Sequence, residues 1–302
     1  MNFRAQKLFA GGDAFILKHD GAYYVYCTTE NDMPAFTPEY PFFETVKDGM
    51  DGIEVHISKD TKKWEKPKYC LKKGDVLGSH GFWAPEVAYY NNRFYMVYSA
   101  DEHMSIAVSD SPEGPFAQWS DGWLLPFRSI DGHLFFDDNG KIYLYYAYLN
   151  NCNKIRVAEM SSDLKKVTRV YDDILIQAEE KWETVDSDVA EGPFVLKHKG
   201  LYYLTYSCNH TRCKDYAVGY AVSESPTGPF KKYEGNPILH RFGNIVGTGH
   251  HSFMPTDDEN KFICVYHCHS DNPESFKPRQ ICLAEAEFVD DGSGCDKLVI
   301  HQ

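Results

Sequence analysis

The chain has 302 residues, 43% hydrophobic and 25% charged, which is enough for one large core or two smaller ones and ordinary for a folded protein. A formal net charge of −13 with no basic stripe argues against a nucleic acid or an anionic membrane as partner; pairs such as Lys62-Lys63 and Lys72-Lys73 read as solvated turns. The aromatic share of 15% favours β-structure, where rings pack on pleated surfaces, and suits a protein that stacks rings on flat apolar faces.

The opening MNFRAQKLFAGGDAF has no apolar core of a secretion signal, and nowhere do enough apolar residues run together for a membrane-spanning helix. Nine cysteines, an odd number, lie scattered from Cys27 to Cys295. Together these lead to the expectation of reduced thiols and a cytoplasmic location, with no membrane partner. The first hairpin signal is GGDAFILKHDGAYYVYCTT, with Asp13 ahead of an apolar run, a turn at Lys18–Gly21 and a return over Ala22–Tyr26. FWAPEVAYYNNRFYMVYSA repeats the shape with Glu86 in front and Asn91-Asn92 at the turn, and Ser105–Ser109 adds a third strand. SIDGHLFFDDNGKIYLYYA follows, led by Asp131 and turning at Asp137–Gly140, with Lys154–Met160 as its third strand.

DVAEGPFVLKHKGLYYLTYS puts Glu191 in front and is followed by Tyr216–Ser223. The last unit, GTGHHSFMPTDDENKFICVYHC, is led by His250, turns at Asp257–Asn260 and ends in Gln280–Glu285. Asp13 to Tyr24, Asp131 to Ile142, Glu191 to Tyr202 and His250 to Lys261 are each eleven residues apart, while Glu86 to Phe94 is eight. SDSPEGPF at 109–116 and SESPTGPF at 223–230 are near copies. Five antiparallel units of this kind predict a radial repeat: an all-β, five-bladed β-propeller, one domain over 1–302 without an appended β-sandwich. In a propeller the mouth of each innermost strand faces a shared central funnel. The five leading residues are therefore expected to converge there in equivalent places.

These motifs resemble glycoside hydrolase family 43, five-bladed propeller enzymes that cleave xylosides and arabinosides. GGDAFI, FWAPEV, SIDGHLFFDDNGKIYLYY, AEGPFVLKHKGLYYLTYS and GTGHHSF stand in the family's order, and the likeness runs from Gly12 to about Glu287. At the first site the family often has Asp-Pro, and here Ala14 follows Asp13. The resemblance implies that Asp13 is a general base, Glu191 a general acid and Asp131 the residue that tunes and orients the acid. In an inverting glycosidase one carboxylate deprotonates water while a carboxylic acid protonates the leaving oxygen, the two about 6.5–9.5 Å apart. The acid must keep its proton near neutral pH, so burial or a neighbouring negative charge has to raise its pKa.

The resemblance further implies a calcium ion near His250, although calcium prefers six to eight oxygen ligands and one histidine can only tune such a site. It places Trp83 on the sugar pocket, where it stacks on a sugar face or packs the propeller, and Arg279 on the substrate, against a reading as a surface charge. Glu86 has no proton-transfer role in the family and reads as a hydrogen-bonding structural acid. By strand alternation His251 points away from His250 and reads as packing. Cys208, His210 and Cys213 in CNHTRC, and His267-Cys268-His269, fit no zinc finger spacing.

The segment Asn31–Gly52, rich in proline and aromatics, is expected to shape the pocket rim. The expected substrate is a small oligosaccharide, with removal of terminal pentoses by a β-xylosidase that also has α-L-arabinofuranosidase activity. An endo-1,5-α-L-arabinanase or a non-catalytic sugar-binding propeller is the alternative. A retaining fructan hydrolase shares the shape but leads with other signatures. Homo-oligomerisation is left open.

Overall fold

Short polar turns between runs of β-branched and aromatic residues leave each run no partner but its neighbour, so the chain folds as successive hairpins. The structure is a computed structural model that describes residues 6–28, 52–272, 275–292 and 294–302. Among these residues every strand belongs to one of five antiparallel sheets. Blade one holds Gly12–His19, Ala22–Thr28, Gly52–Ser58 and Lys68–Lys72, and blade two holds Trp83–Tyr90, Arg93–Ala100, His103–Ser109 and Ala117–Gln118. Blade three runs Ser129–Phe136, Ile142–Leu149, Asn153–Met160 and Val167–Val170, and blade four Ala190–His198, Leu201–Cys208, Ala217–Ser223 and Lys231–Lys232. Blade five is Gly249–Pro255, Lys261–Cys268 and Gln280–Val289. Its third strand also pairs with Gln6–Ala10 from the start of the chain and with Lys297–Ile300 from its end.

The five-bladed propeller expected from the sequence is thus the observed fold. The strand Gln6–Ala10 closes the ring by joining the first residues to the last blade. Five hydrophobic clusters fill the five gaps between neighbouring blades, including the gap between blades five and one, where Ile16 and Val25 meet Val265 and Leu283. Each blade's second strand buries a tyrosine completely: Tyr26, Tyr98, Tyr145, Tyr206 and Tyr266. The repeated SPxGP turns use two of these rings. Tyr26 donates its hydroxyl to the Pro112 carbonyl at 2.6 Å, and Tyr145 donates to that of Pro226 at 2.5 Å, so each turn locks onto the preceding blade.

The innermost strands share a further device. In all five the register against the second strand slips by a residue near the start, between Gly12 and Phe15, Trp83 and Glu86, Ile130 and His133, Glu191 and Phe194, and Gly249 and Ser252. Inside each bulge one residue has positive φ: Asp13 at 49°, Ala84 at 44°, Asp131 at 59°, Gly192 at 57° and His250 at 43°. Only Gly192 takes that conformation without a steric cost. Such bulges re-aim side chains next to active sites, and here they form one level around the axis.

This level corrects the expected equivalence of the five leading residues. Asp13, Asp131 and His250 occupy it, but Glu191 stands one residue before it and Glu86 two residues after it. The return residues used to count the spacing hid the offset, because they pair at different depths: Tyr24 with Leu17, four residues past Asp13, Phe94 with Tyr89, three past Glu86, and Tyr202 with Lys197, six past Glu191. Glu86 lies below the mouth, where it accepts hydrogen bonds from His133 Nδ1 at 2.8 Å and the Leu134 N–H at 3.0 Å, a structural acid as expected. The segment expected to shape the rim lies, up to residue 51, outside the described residues.

Candidate active site

A cavity of about 500 Å³ opens over the bulge level at one end of the axis. Asp13, Asp131, Glu191, Trp83, His250 and Arg279 all line it, so the structure brings these six residues to one place. Trp83 and Glu191 hold the same position in blades two and four, one residue before the bulge, which is why a ring and a carboxyl face each other across the funnel. Blades one and five carry glycine there. A Cβ on Gly12 would lie 2.1 Å from the Arg279 guanidinium carbon, and one on Gly249 would lie 2.4 Å from the Tyr216 ring. The two glycines make room for the two side chains that hold the carboxyls.

Arg279 is not the surface charge weighed above, nor is its guanidinium simply offered to a substrate. It is 5% exposed and forks onto Asp13, with Nη1 donating to Oδ1 at 2.6 Å and Nη2 to Oδ2 at 3.0 Å. The Thr28 hydroxyl donates to Oδ2 at 2.8 Å, and His250 Nδ1 stands 3.3 Å from Oδ1. Burial works against the Asp13 anion, but the Arg279 guanidinium holds its carboxyl well below the usual carboxylate range. His267 is fully buried, accepts the Asp13 N–H at Nδ1 and pairs Nε2 with the Thr211 hydroxyl. Burial and the Arg279 charge keep it neutral, so it supports Asp13 without competing for its proton.

Glu191 meets the opposite environment. Burial pushes its carboxyl up to about 7, and the Asp13 charge adds to that against the Tyr216 and Asn153 hydrogen bonds. The Tyr216 hydroxyl donates to Oε1 at 2.9 Å and Asn153 Nδ2 to Oε2 at 3.0 Å, which fixes the plane of the group. Asp131, 7% exposed, is pushed up by burial and by the Glu191 and Asp13 charges, so Glu191 and Asp131 titrate as a pair. The pair carries the site's transferable proton near neutral pH.

Sequence reading missed Tyr216, Asn153, Thr28 and Thr211, because each comes from a second or third strand, or the turn after one, and carries no motif of its own, and it weighed His267 only as a zinc ligand of the wrong spacing. It had noted His210 only as an unlikely zinc ligand. The structure puts His210 on the cavity wall, where burial and the Arg212 charge lower its pKa to about 4. Among the described residues no group of three or more His, Cys, Asp or Glu is placed to hold a metal. Around His250 stand the Asp13 carboxylate, already neutralised by Arg279, and Asp131 Oδ2 at 3.9 Å. These side chains do not supply the six to eight oxygens of a calcium shell. All nine cysteines are free thiols in the structure.

Carboxyls from three blades, one kept ionised and one kept protonated over a single cavity at the propeller hub, mark a glycoside hydrolase. The chain belongs to the glycosyl hydrolases family 43, whose sequence profile matches residues 9–293. It is similar to a β-xylosidase of Xylanibacter ruminicola, 30% identical over 247 residues that cover 70% of this chain and 72% of that protein. A β-D-galactofuranosidase of Aspergillus niger is 26% identical over 273 residues, 84% of this chain and 76% of the relative. Among solved structures, an endo-1,4-β-xylanase of Bacteroides thetaiotaomicron superposes with a TM-score of 0.82 at 34% identity, covering 96% of this chain and 94% of that one.

Proposed function

We propose that this hydrolase releases terminal pentoses from xylo- or arabino-oligosaccharides with inversion, as a β-xylosidase with α-L-arabinofuranosidase activity. The observation that carries the mechanism is the split between two carboxyls in one cavity: Asp13 forked by a guanidinium, Glu191 half-buried beside another acid. Asp13 acts as the base. Three donors reach it, and a carboxylate has about four acceptor positions, so one is left for the proton of the attacking water. Glu191 donates its proton to the leaving glycosidic oxygen while Tyr216 and Asn153 hold it in orientation. Asp131 keeps that proton on the pair through its negative charge. Trp83 stacks on the sugar bound above the bulge level.

The named relatives divide between enzymes that trim chain ends and one that cuts within chains, so an endo-acting enzyme is the second reading. Reducing-end-labelled xylohexaose and arabinohexaose separate the two. The exo reading expects free xylose or arabinose and a labelled product one unit shorter as the first products. Labelled fragments of two to four units at the earliest times would replace it with endo action.

The opposed environments also set the pH response. Glu191 must carry its proton, so kcat/KM is expected to hold on the acid side and to fall as pH rises through about 7. Asp13 must be ionised, and its depressed pKa keeps it so below the range where free carboxyls take up protons, so no acid limb is expected down to about pH 4. A kcat/KM profile on aryl β-xyloside between about pH 4 and 9 measures both limbs. An acid limb near pH 5 would remove Asp13 from the role of base.

A further inference from the structure

The five bulges raise an accounting question, because each turns one buried backbone N–H away from its own ladder. Four of the five are met in one way, by the side chain directly opposite the pre-bulge residue on the second strand of the preceding blade. Those opposite residues are Thr28, Ser99, Ala147, Ser207 and His267 in blades one to five. Thr28 Oγ1 accepts the Ala84 N–H at 3.0 Å, Ser99 Oγ the Asp131 N–H at 3.1 Å, and Ser207 Oγ the His250 N–H at 2.9 Å. His267 Nδ1 closes the circle on the Asp13 N–H at 3.2 Å. Blade three breaks the pattern, because Ala147 has nothing with which to accept. The Gly192 N–H is taken instead by Asp131 Oδ2, at 3.1 Å.

We propose that Ala147 is a positioning residue of the active site: by withholding the acceptor that the other blades supply, it commits Asp131 to the Gly192 N–H and so fixes that carboxylate beside Glu191. Asp131 then has two tasks. It closes the hydrogen-bonded circle between blades three and four, and it stands as the charge next to the acid, on the backbone of the residue that follows it. An N–H donor also favours the ionised form of the carboxyl it meets, which is the form that keeps the proton on Glu191. The proposal rests on the role given to Asp131 above. Its structural half does not.

Four variants separate the two. In Asp131→Ala the Gly192 N–H is left buried and unpaired, and Tm is expected to fall by about 2–6 °C, with activity lost. In Asp131→Asn the amide oxygen can still accept, so Tm stays near that of the parent while kcat falls. In Ala147→Ser/Asp131→Ala the new hydroxyl stands where Thr28, Ser99 and Ser207 stand, and at least half of the lost Tm returns with no return of activity. Ala147→Ser alone keeps Tm but releases Asp131 from the N–H. Asp131 then takes more of the pair's proton, so the plateau of kcat/KM falls, and the basic limb moves up by at least about half a pH unit because the pair as a whole holds its proton more tightly.

Equal Tm losses in Asp131→Ala and Asp131→Asn, or no recovery in the double variant, would overturn the clamp. An unshifted pH profile in Ala147→Ser would overturn the positioning role. Full activity with an unchanged profile in Asp131→Asn would instead remove Asp131 from the mechanism, while the Tm comparisons still decide the clamp.

Discussion

Glu191→Ala is expected to lower kcat/KM on xylobiose by about 10²–10⁴-fold, the range that a positioned general acid contributes. The loss depends on the leaving group. A sugar hydroxyl leaves poorly as an alkoxide and needs the proton, whereas 2,4-dinitrophenolate leaves unaided, so a dinitrophenyl glycoside should lose less than about tenfold. That difference between substrates separates lost proton donation from a damaged fold, which would lower both rates alike. Removal of the carboxyl also strips the acceptor from the buried Tyr216 hydroxyl, so Tm is to be measured alongside. Similar losses on both substrates in a folded variant would move the acid elsewhere.

The second large effect belongs to Asp13. Asp13→Asn keeps an oxygen for Arg279, whereas Asp13→Ala would leave a guanidinium buried without a counter-charge, a change that typically costs 3–5 kcal/mol. The asparagine cannot take a proton from water, and kcat is expected to fall by about 10²–10⁴-fold. Unlike the Glu191 variant, it should lose equally on good and poor leaving groups, because activation of water is needed whatever departs. Rates on dinitrophenyl and disaccharide substrates, measured side by side for both variants, test this contrast. A loss confined to the poor leaving group would assign Asp13 to the acid's side of the reaction.

The fold was legible because its signals are local. Asn91-Asn92 and Lys199-Gly200 between alternating apolar runs announce hairpins, and five such units at irregular spacing leave few architectures open. The strand Gln6–Ala10 was not legible: QKLFA has too little alternation to separate it from a loop, and its partner lies at the other end of the chain. The residues of the site were legible as types but not in phase. Blades one, two and four share a one-residue bulge and a two-residue turn, but the aromatic residues that return along the chain pair at different depths, so distances counted to them put Glu191 and Glu86 level with Asp13 when neither is.

The electrostatics lay further out of reach. The fork of Arg279 onto Asp13 joins residues 266 positions apart and needs the missing side chain of Gly12, and the pair of donors on Glu191 comes from two different blades. Nothing local in NKIRVAEM or DYAVGY marks Asn153 or Tyr216. They acquire their roles only when the ring closes.

The central claim, that water activated at Asp13 attacks opposite a leaving group protonated by Glu191, is tested most directly by the configuration of the first sugar released. Proton NMR of an aryl β-xyloside digest, recorded before mutarotation, should show α-xylose appearing first and β-xylose only later. Initial release of β-xylose would require a covalent intermediate and two displacements, which would contradict the assignment of Asp13 as a base for water.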